Sequence, residues 1–131
     1  MQRHIGLVSI VVRDYDEAIE FYKRVLGFEL MEDTLLTPVK RWVVVCPRGS
    51  EGRGCRLLLA KAATPMQESR IGDQTGGRVF LFLYTDDIRR DHESLLRHGV
   101  TIVRPPSQEE YGTVLVFSDL YGNLWDLIER A

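Results

Sequence analysis

The chain is poor in the side chains that most metal and redox centres need: two cysteines and three histidines in 131 residues. Cys46 and Cys55 flank the Pro47–Gly54 loop, which puts them within reach of a hairpin disulfide; the reading adopted is two reduced thiols, and without further sulfur or imidazole partners they make no tetrahedral zinc site. No apolar run approaches the ~20 residues that a membrane span needs, and Met1–His4 does not open into a signal sequence. A net charge of −2 leaves no electrostatic footprint for nucleic acid or an anionic membrane. The glycine-rich stretch Ile71–Arg78 lacks the Gly-Lys-Ser/Thr ending of a phosphate loop and leads into a strand rather than a helix. What remains is a cytoplasmic protein without nucleic-acid or membrane partners, whose 44% hydrophobic and 27% charged content can build a core.

The organising stretch runs from Ile10 to Leu30. Asp14 can cap a helix, with Glu17 completing a capping box. Tyr15, Ala18, Ile19, Tyr22, Val25 and Leu26 then fall on one helical stripe. Gly27 stops the helix, and Phe28–Leu30 alternates as a strand. The plan recurs at Phe80–Val103: thirteen positions separate Asp14 from Gly27 and Asp86 from Gly99, an offset of 72 for both. A repeated βα unit points to a duplicated module.

The pattern predicts strands at 5–13, 28–35, 41–46 and 55–60, with Thr37-Pro38 as a break. A second set is expected at 78–85, 100–103, 113–118 and 124–129, with a helix over 89–98 and a break at Pro105-Pro106. The expected fold is α+β: two βαβββ modules (1–62 and 78–131, joined by a linker at 63–77) within one domain. One helix cannot cover both faces of a sheet, so the eight strands are expected to curve into a mixed-sheet cup with the helices outside.

The motif around Asp14, Ala18, Ile19, Phe21, Tyr22, Leu26, Gly27 and Phe28, with the late turn Asp119-Leu-Tyr-Gly-Asn-Leu-Trp-Asp126, resembles the glyoxalase/bleomycin-resistance/extradiol-dioxygenase (vicinal oxygen chelate) superfamily. The resemblance implies paired βαβββ modules, frequent homodimers and, in many members, a divalent metal in the cup. The metal positions it implies carry Leu7, Phe80, a residue near Leu58, and Asp126; one carboxylate alone cannot hold a catalytic ion. His4, His92 and His98 are read as an exposed end, a packed helix residue and a helix C-terminus. No metal ligand or cofactor is therefore assigned, although a metal through an altered set stays open.

Strand alternation carried from those positions turns Ile5, Ser9 and Val11 inward with Leu7, and Arg78, Phe82 and Tyr84 with Phe80. Leu124 and Ile128 follow Asp126. The candidate ligand-binding residues are Ser9, Trp42, Arg78, Phe80, Phe82, Tyr84 and Asp126, with the parity of Trp42 open. Arg78 and Asp126 are either a buried ion pair or a ligand anchor and its acid/base partner. Gln74, Arg104 and Tyr111 are placed on loops at the mouth. The expected function is metal-independent binding of an aromatic or anionic small molecule by a homodimer. The alternative is a lyase, isomerase or dioxygenase that uses a metal, or Asp126 as a metal-free acid/base. A third is an interaction module whose cup is filled by its own side chains.

Overall fold

A computed structural model describes residues 1–50 and 53–131. The chain forms two compact units, Met1–Arg70 and Ile71–Ala131. Each holds a four-stranded mixed sheet built on the same plan, so the duplicated βαβββ module read from the sequence is the architecture.

The first unit contains β1 (Leu7–Val12), α1 (Tyr15–Glu20), β2 (Phe28–Leu35), β3 (Arg41–Pro47), β4 (Arg56–Lys61) and the short α2 (Pro65–Glu68). Its sheet order is β1-β4-β3-β2, with β1 parallel to β4 and the other pairs antiparallel. Ile10, Val12, Val43, Val45, Leu57 and Leu59 are buried on one sheet face, which Tyr15 and Ala18 of α1 and Tyr22 of the turn that follows it cover. The Asp14 carboxylate accepts the Glu17 N–H at 2.8 Å as the N-cap, while the Glu17 carboxylate takes the Arg13 guanidinium.

Beyond Glu20 the helix widens into a π-helical turn over Phe21–Val25, closed by the Leu26 N–H donating to the Phe21 carbonyl. A π turn accommodates one extra residue. Gly27 then ends the helix at φ +70°.

The second unit contains β5 (Leu81–Tyr84), α3 (Ile88–Arg97), β6 (Ile102–Glu109), β7 (Gly112–Ser118) and β8 (Leu124–Arg130), ordered β5-β8-β7-β6. Leu115, Phe117, Trp125 and Leu127 are buried on the face that α3 covers with Ile88 and Leu95. Phe117 and Trp125 are cross-strand partners whose rings stack at 5.9 Å. The cap of α3 is Asp87, which accepts the Arg90 N–H, and not Asp86, which instead pairs with Arg90. The first module thus carries one more residue between cap and stop glycine than the second, and the π turn is where it sits. Cross-strand rows confirm this. Ser9–Leu58–Val44–Glu32 matches Phe82–Asp126–Val116–Arg104. The offset is 73 before the helix (Ser9 to Phe82) and 72 after it (Glu32 to Arg104).

Three further expectations are corrected. β6 runs through Pro105-Pro106 because it is an edge strand, and the ladder skips both prolines between the Arg104–Val116 and Ser107–Val114 pairs. The linker is partly helical: Thr64 caps α2 by accepting the Gln67 N–H, with Pro65 opening the helix. β5 starts only at Leu81, since Gly76 and Gly77 turn the chain at positive φ just before it. In the β3–β4 loop Gly49 and Gly54 take the left-handed conformation expected of them, while Glu51 and Gly52 lie outside the described residues. Cys46 is buried, Cys55 exposed, and both are free.

Gly72 is held at φ +76°, where an added Cβ would lie 1.8 Å from the Tyr121 carbonyl oxygen; at Gly27 it would meet nothing. Gly72→Ala should therefore destabilise the protein by roughly 3 kcal/mol or more, against about 1 kcal/mol for Gly27→Ala, in urea unfolding. Equal losses would mean that the Gly72–Tyr121 approach is not closely packed in solution.

Candidate functional site

Each sheet buries one face under its helix, and that helix does not cover the other, open face. On the open face of the first sheet lie Ser9 and Val11 of β1, Leu58 and Ala60 of β4, Val44 and Trp42 of β3, and Glu32 and Thr34 of β2. The parity of Trp42, undecided from the sequence, is thereby fixed: it shares the face of Ser9 and Leu58. Its indole N–H donates to the Glu32 carboxylate at 3.1 Å, which orients the ring and engages its one polar atom.

A pocket of about 700 Å³ opens beside Trp42. Val11, Leu58 and Ala60 form its floor, and the β2–β3 turn and the segment leading into α2 contribute Thr37, Lys40 and Gln67. Both segments are fixed by their own hydrogen bonds. Thr37 Oγ1 accepts the Val39 and Lys40 N–H groups, and Gln67 Oε1 accepts the Ala63 N–H at 2.7 Å. Arg41 stands at the edge of the pocket, locked from several sides. Its guanidinium donates to Asp33 and Asp16 at 2.7–3.0 Å and lies over the Tyr15 ring, while its backbone N–H donates to the Tyr15 hydroxyl. The hydrogen bonds from Arg41 hold the Asp33 carboxyl below its ordinary range, and the guanidinium is more firmly protonated in return.

The open face of the second sheet is different. Phe82 and Asp126 are cross-strand partners, as are Tyr84 and Ile128, so these side chains share the face as alternation predicts. Phe82 and Tyr84 are 57% and 54% exposed, and the Arg130 guanidinium lies 4.3 Å from the centre of the Tyr84 ring. Asp126 is half-buried. Loss of water raises its pKa, and the positive charge of Arg104, in the same cross-strand row, acts against that rise. Arg104 is thus a strand residue and not a loop residue.

Arg78 is exposed in the turn before β5, and among the described residues no ion pair joins it to Asp126. Phe80, half-buried, donates its N–H to the Leu124 carbonyl. Tyr111 is exposed in the β6–β7 hairpin, and Gln74 lies in the turns before β5. Of the seven candidate ligand residues, Trp42 alone lines the large pocket. Tyr15, Lys40, Lys61 and Gln67 also line it, although their sequence context marks them only as helix stripe, turn, strand end and linker. Thr64-Pro-Met-Gln67 is a helix-start signal that brings the last of them into place.

Asp119 of the late turn is structural: its Oδ1 accepts the N–H groups of Tyr121, Gly122 and Asn123, and its Oδ2 accepts the Asn123 amide. As for a metal, Leu7, Leu58 and Phe80 offer hydrocarbon and Asp126 a single carboxylate. Among the described residues no three His, Cys, Asp or Glu side chains gather around one point. That donor set does not fit a resident divalent ion.

Residues 4–127 match the model of the Glyoxalase/Bleomycin resistance protein/Dioxygenase superfamily, and the chain belongs to that superfamily. It is 55% identical to an uncharacterized protein of Shewanella frigidimarina, over 98% of this chain and 95% of the other. Among solved structures it is similar to UcmS2, with TM-score 0.83 and 29% identity over 98% of both chains. It is likewise similar to TnmS3, an antibiotic binding protein from Streptomyces sp. CB03234, with TM-score 0.78 and 29% identity over 99% of this chain and 98% of that one. No helix among the described residues is long and apolar enough to cross a membrane.

Because burial favours the neutral form of Asp126, its ionisation costs stability. Its raised folded pKa makes that cost absent at low pH and fully present above the folded value. Asp126→Asn should melt higher than the parent at pH 7, and the gap should close as pH falls through the carboxylate range. A pH-independent difference would mean that Asp126 is not desolvated.

Proposed function

We propose that this protein binds a flat aromatic small molecule in the pocket of its first sheet, with the ring against Trp42, and sequesters it without a metal. The observation that carries the reading is the pocket itself. It has about 700 Å³ of space over an aliphatic floor, and beside it stands an indole whose polar atom is already bonded, leaving a ring face for a ligand. The likeness to an antibiotic binding protein at 29% identity supports it. The reading keeps the expectation of a cytoplasmic homodimer. It leaves Asp126 outside the binding step, so the rival assignment of Asp126 as a metal-free acid/base is a separate claim about the other module.

The check is a thermal-shift screen of flat aromatic antibiotics. At least one should raise the melting temperature by several degrees, and Trp42→Ala should weaken that compound roughly tenfold, about 1.4 kcal/mol of lost ring contact. A panel without any shift, or one unaltered by Trp42→Ala, overturns the reading.

A further inference from the structure

We infer that the molecule taken by this pocket is an anion as well as an aromatic: a planar ring system carrying a carboxylate or an ionised phenol. The inference rests on the pocket being the binding site and deepens that reading by naming the ligand's charge. The polar groups around the pocket divide into those already engaged and those still available, and the two sets differ in character.

Among the described residues no carboxylate lines it. Of the acidic side chains nearby, Asp16 and Asp33 are turned to Arg41, and Glu32 is turned to the Trp42 indole N–H and keeps its charge. Each side-chain acceptor oxygen that does line it already takes at least one hydrogen bond. Gln67 Oε1 takes the Ala63 N–H, Thr37 Oγ1 takes two backbone N–H groups, and the Tyr15 hydroxyl takes the Arg41 N–H. Arg41 is engaged by two carboxylates, more than offsetting its own charge, and serves to fix the start of β3.

The available set is donor in character. The ammonium groups of Lys40 and Lys61 are exposed and have no ion-pair partner among the described residues. With its Oε1 engaged, Gln67 presents its amide nitrogen, and Thr37 and Tyr15 retain hydroxyl hydrogens. Lys40 sits at the base of the β2–β3 turn, where its N–H and carbonyl are both bonded, and Lys61 is the last residue of β4, paired with Val12. Their backbones are therefore anchored, on two separate segments that line the pocket. A cationic ligand would be repelled by the two lysines and would find no carboxylate in the lining. A ligand with ionised oxygens would be attracted by both ammonium groups.

The test uses three isosteric, fluorescent probes, anthracene-2-carboxylate, its carboxamide and 2-(aminomethyl)anthracene, titrated by anisotropy at low and at 0.5 M salt. The carboxylate should bind about tenfold tighter than the carboxamide at low salt, with the gap shrinking at high salt and the ammonium compound weakest. In the Lys40→Met/Lys61→Met double variant the ratio of the two affinities should fall to about one, with each single variant in between. Carboxamide or ammonium binding as tight as carboxylate overturns the charge assignment and leaves the pocket standing. So does a carboxylate preference that survives in the double variant. If none of the three binds, or those that bind are unaffected by Trp42→Ala, the pocket reading falls with it.

Discussion

Each module gives its four-stranded sheet a single amphipathic helix, and a single helix covers one face. That constraint fixes the pattern of every strand. Each must place its largest apolar side chains at alternate positions under the helix, as Ile10, Val43, Leu57 and Leu59 do in the first module and Leu115, Phe117, Trp125 and Leu127 in the second. The intervening positions lie outside the helix-covered layer, and although Val44, Val116 and Ile128 are buried there too, the others are free to specialise. Equivalent rows diverge there: Ser9, Leu58 and Glu32 stand where the other copy has Phe82, Asp126 and Arg104, while Val44 matches Val116. One copy of the open face orients an indole, and the other keeps a carboxyl half out of water.

The pocket of the first sheet owes its chemistry to Arg41. Placed where β3 begins, it draws Asp33 from the neighbouring strand and Asp16 from the helix onto one guanidinium. Exposed ion pairs of this kind add little to stability. They hold both carboxylates on one guanidinium instead of in the pocket, which Lys40 and Lys61 line. Glu32 is likewise held in place, by the indole N–H, with its charge intact. The resulting site differs from an acidic cleft not by an excess of basic residues, of which the chain has fewer than acidic ones, but by where the acids are bound.

Much of this is legible in the chain itself. Asp14, Gly27 and Gly99 act locally, through a cap and two left-handed stops, and local signals survive folding. Alternation carries the open-face placement of Phe82, Tyr84 and Asp126. It fails at Arg78, because it presumes an extended chain and two glycines turn the backbone there. Equal spacing in the two copies favours Asp86 over Asp87 as the cap, and a one-residue widening of a helix leaves no compositional trace to correct it. The prolines of β6 read as a stop because the sequence does not say which strand is at the edge. Trp42, Lys40 and Gln67 meet through register and turn geometry, which pair residues far apart in sequence, and only the assembled sheet shows that they share a pocket.

The paired prolines of β6 have a consequence for the molecule in a crowded solution. An outermost strand normally exposes a row of amide hydrogens on which a neighbouring molecule can add its own strand, the first step towards fibrils. Two successive imino residues and the irregular spacing around them interrupt that row. The second sheet is thereby guarded against strand addition along that edge by covalent chemistry.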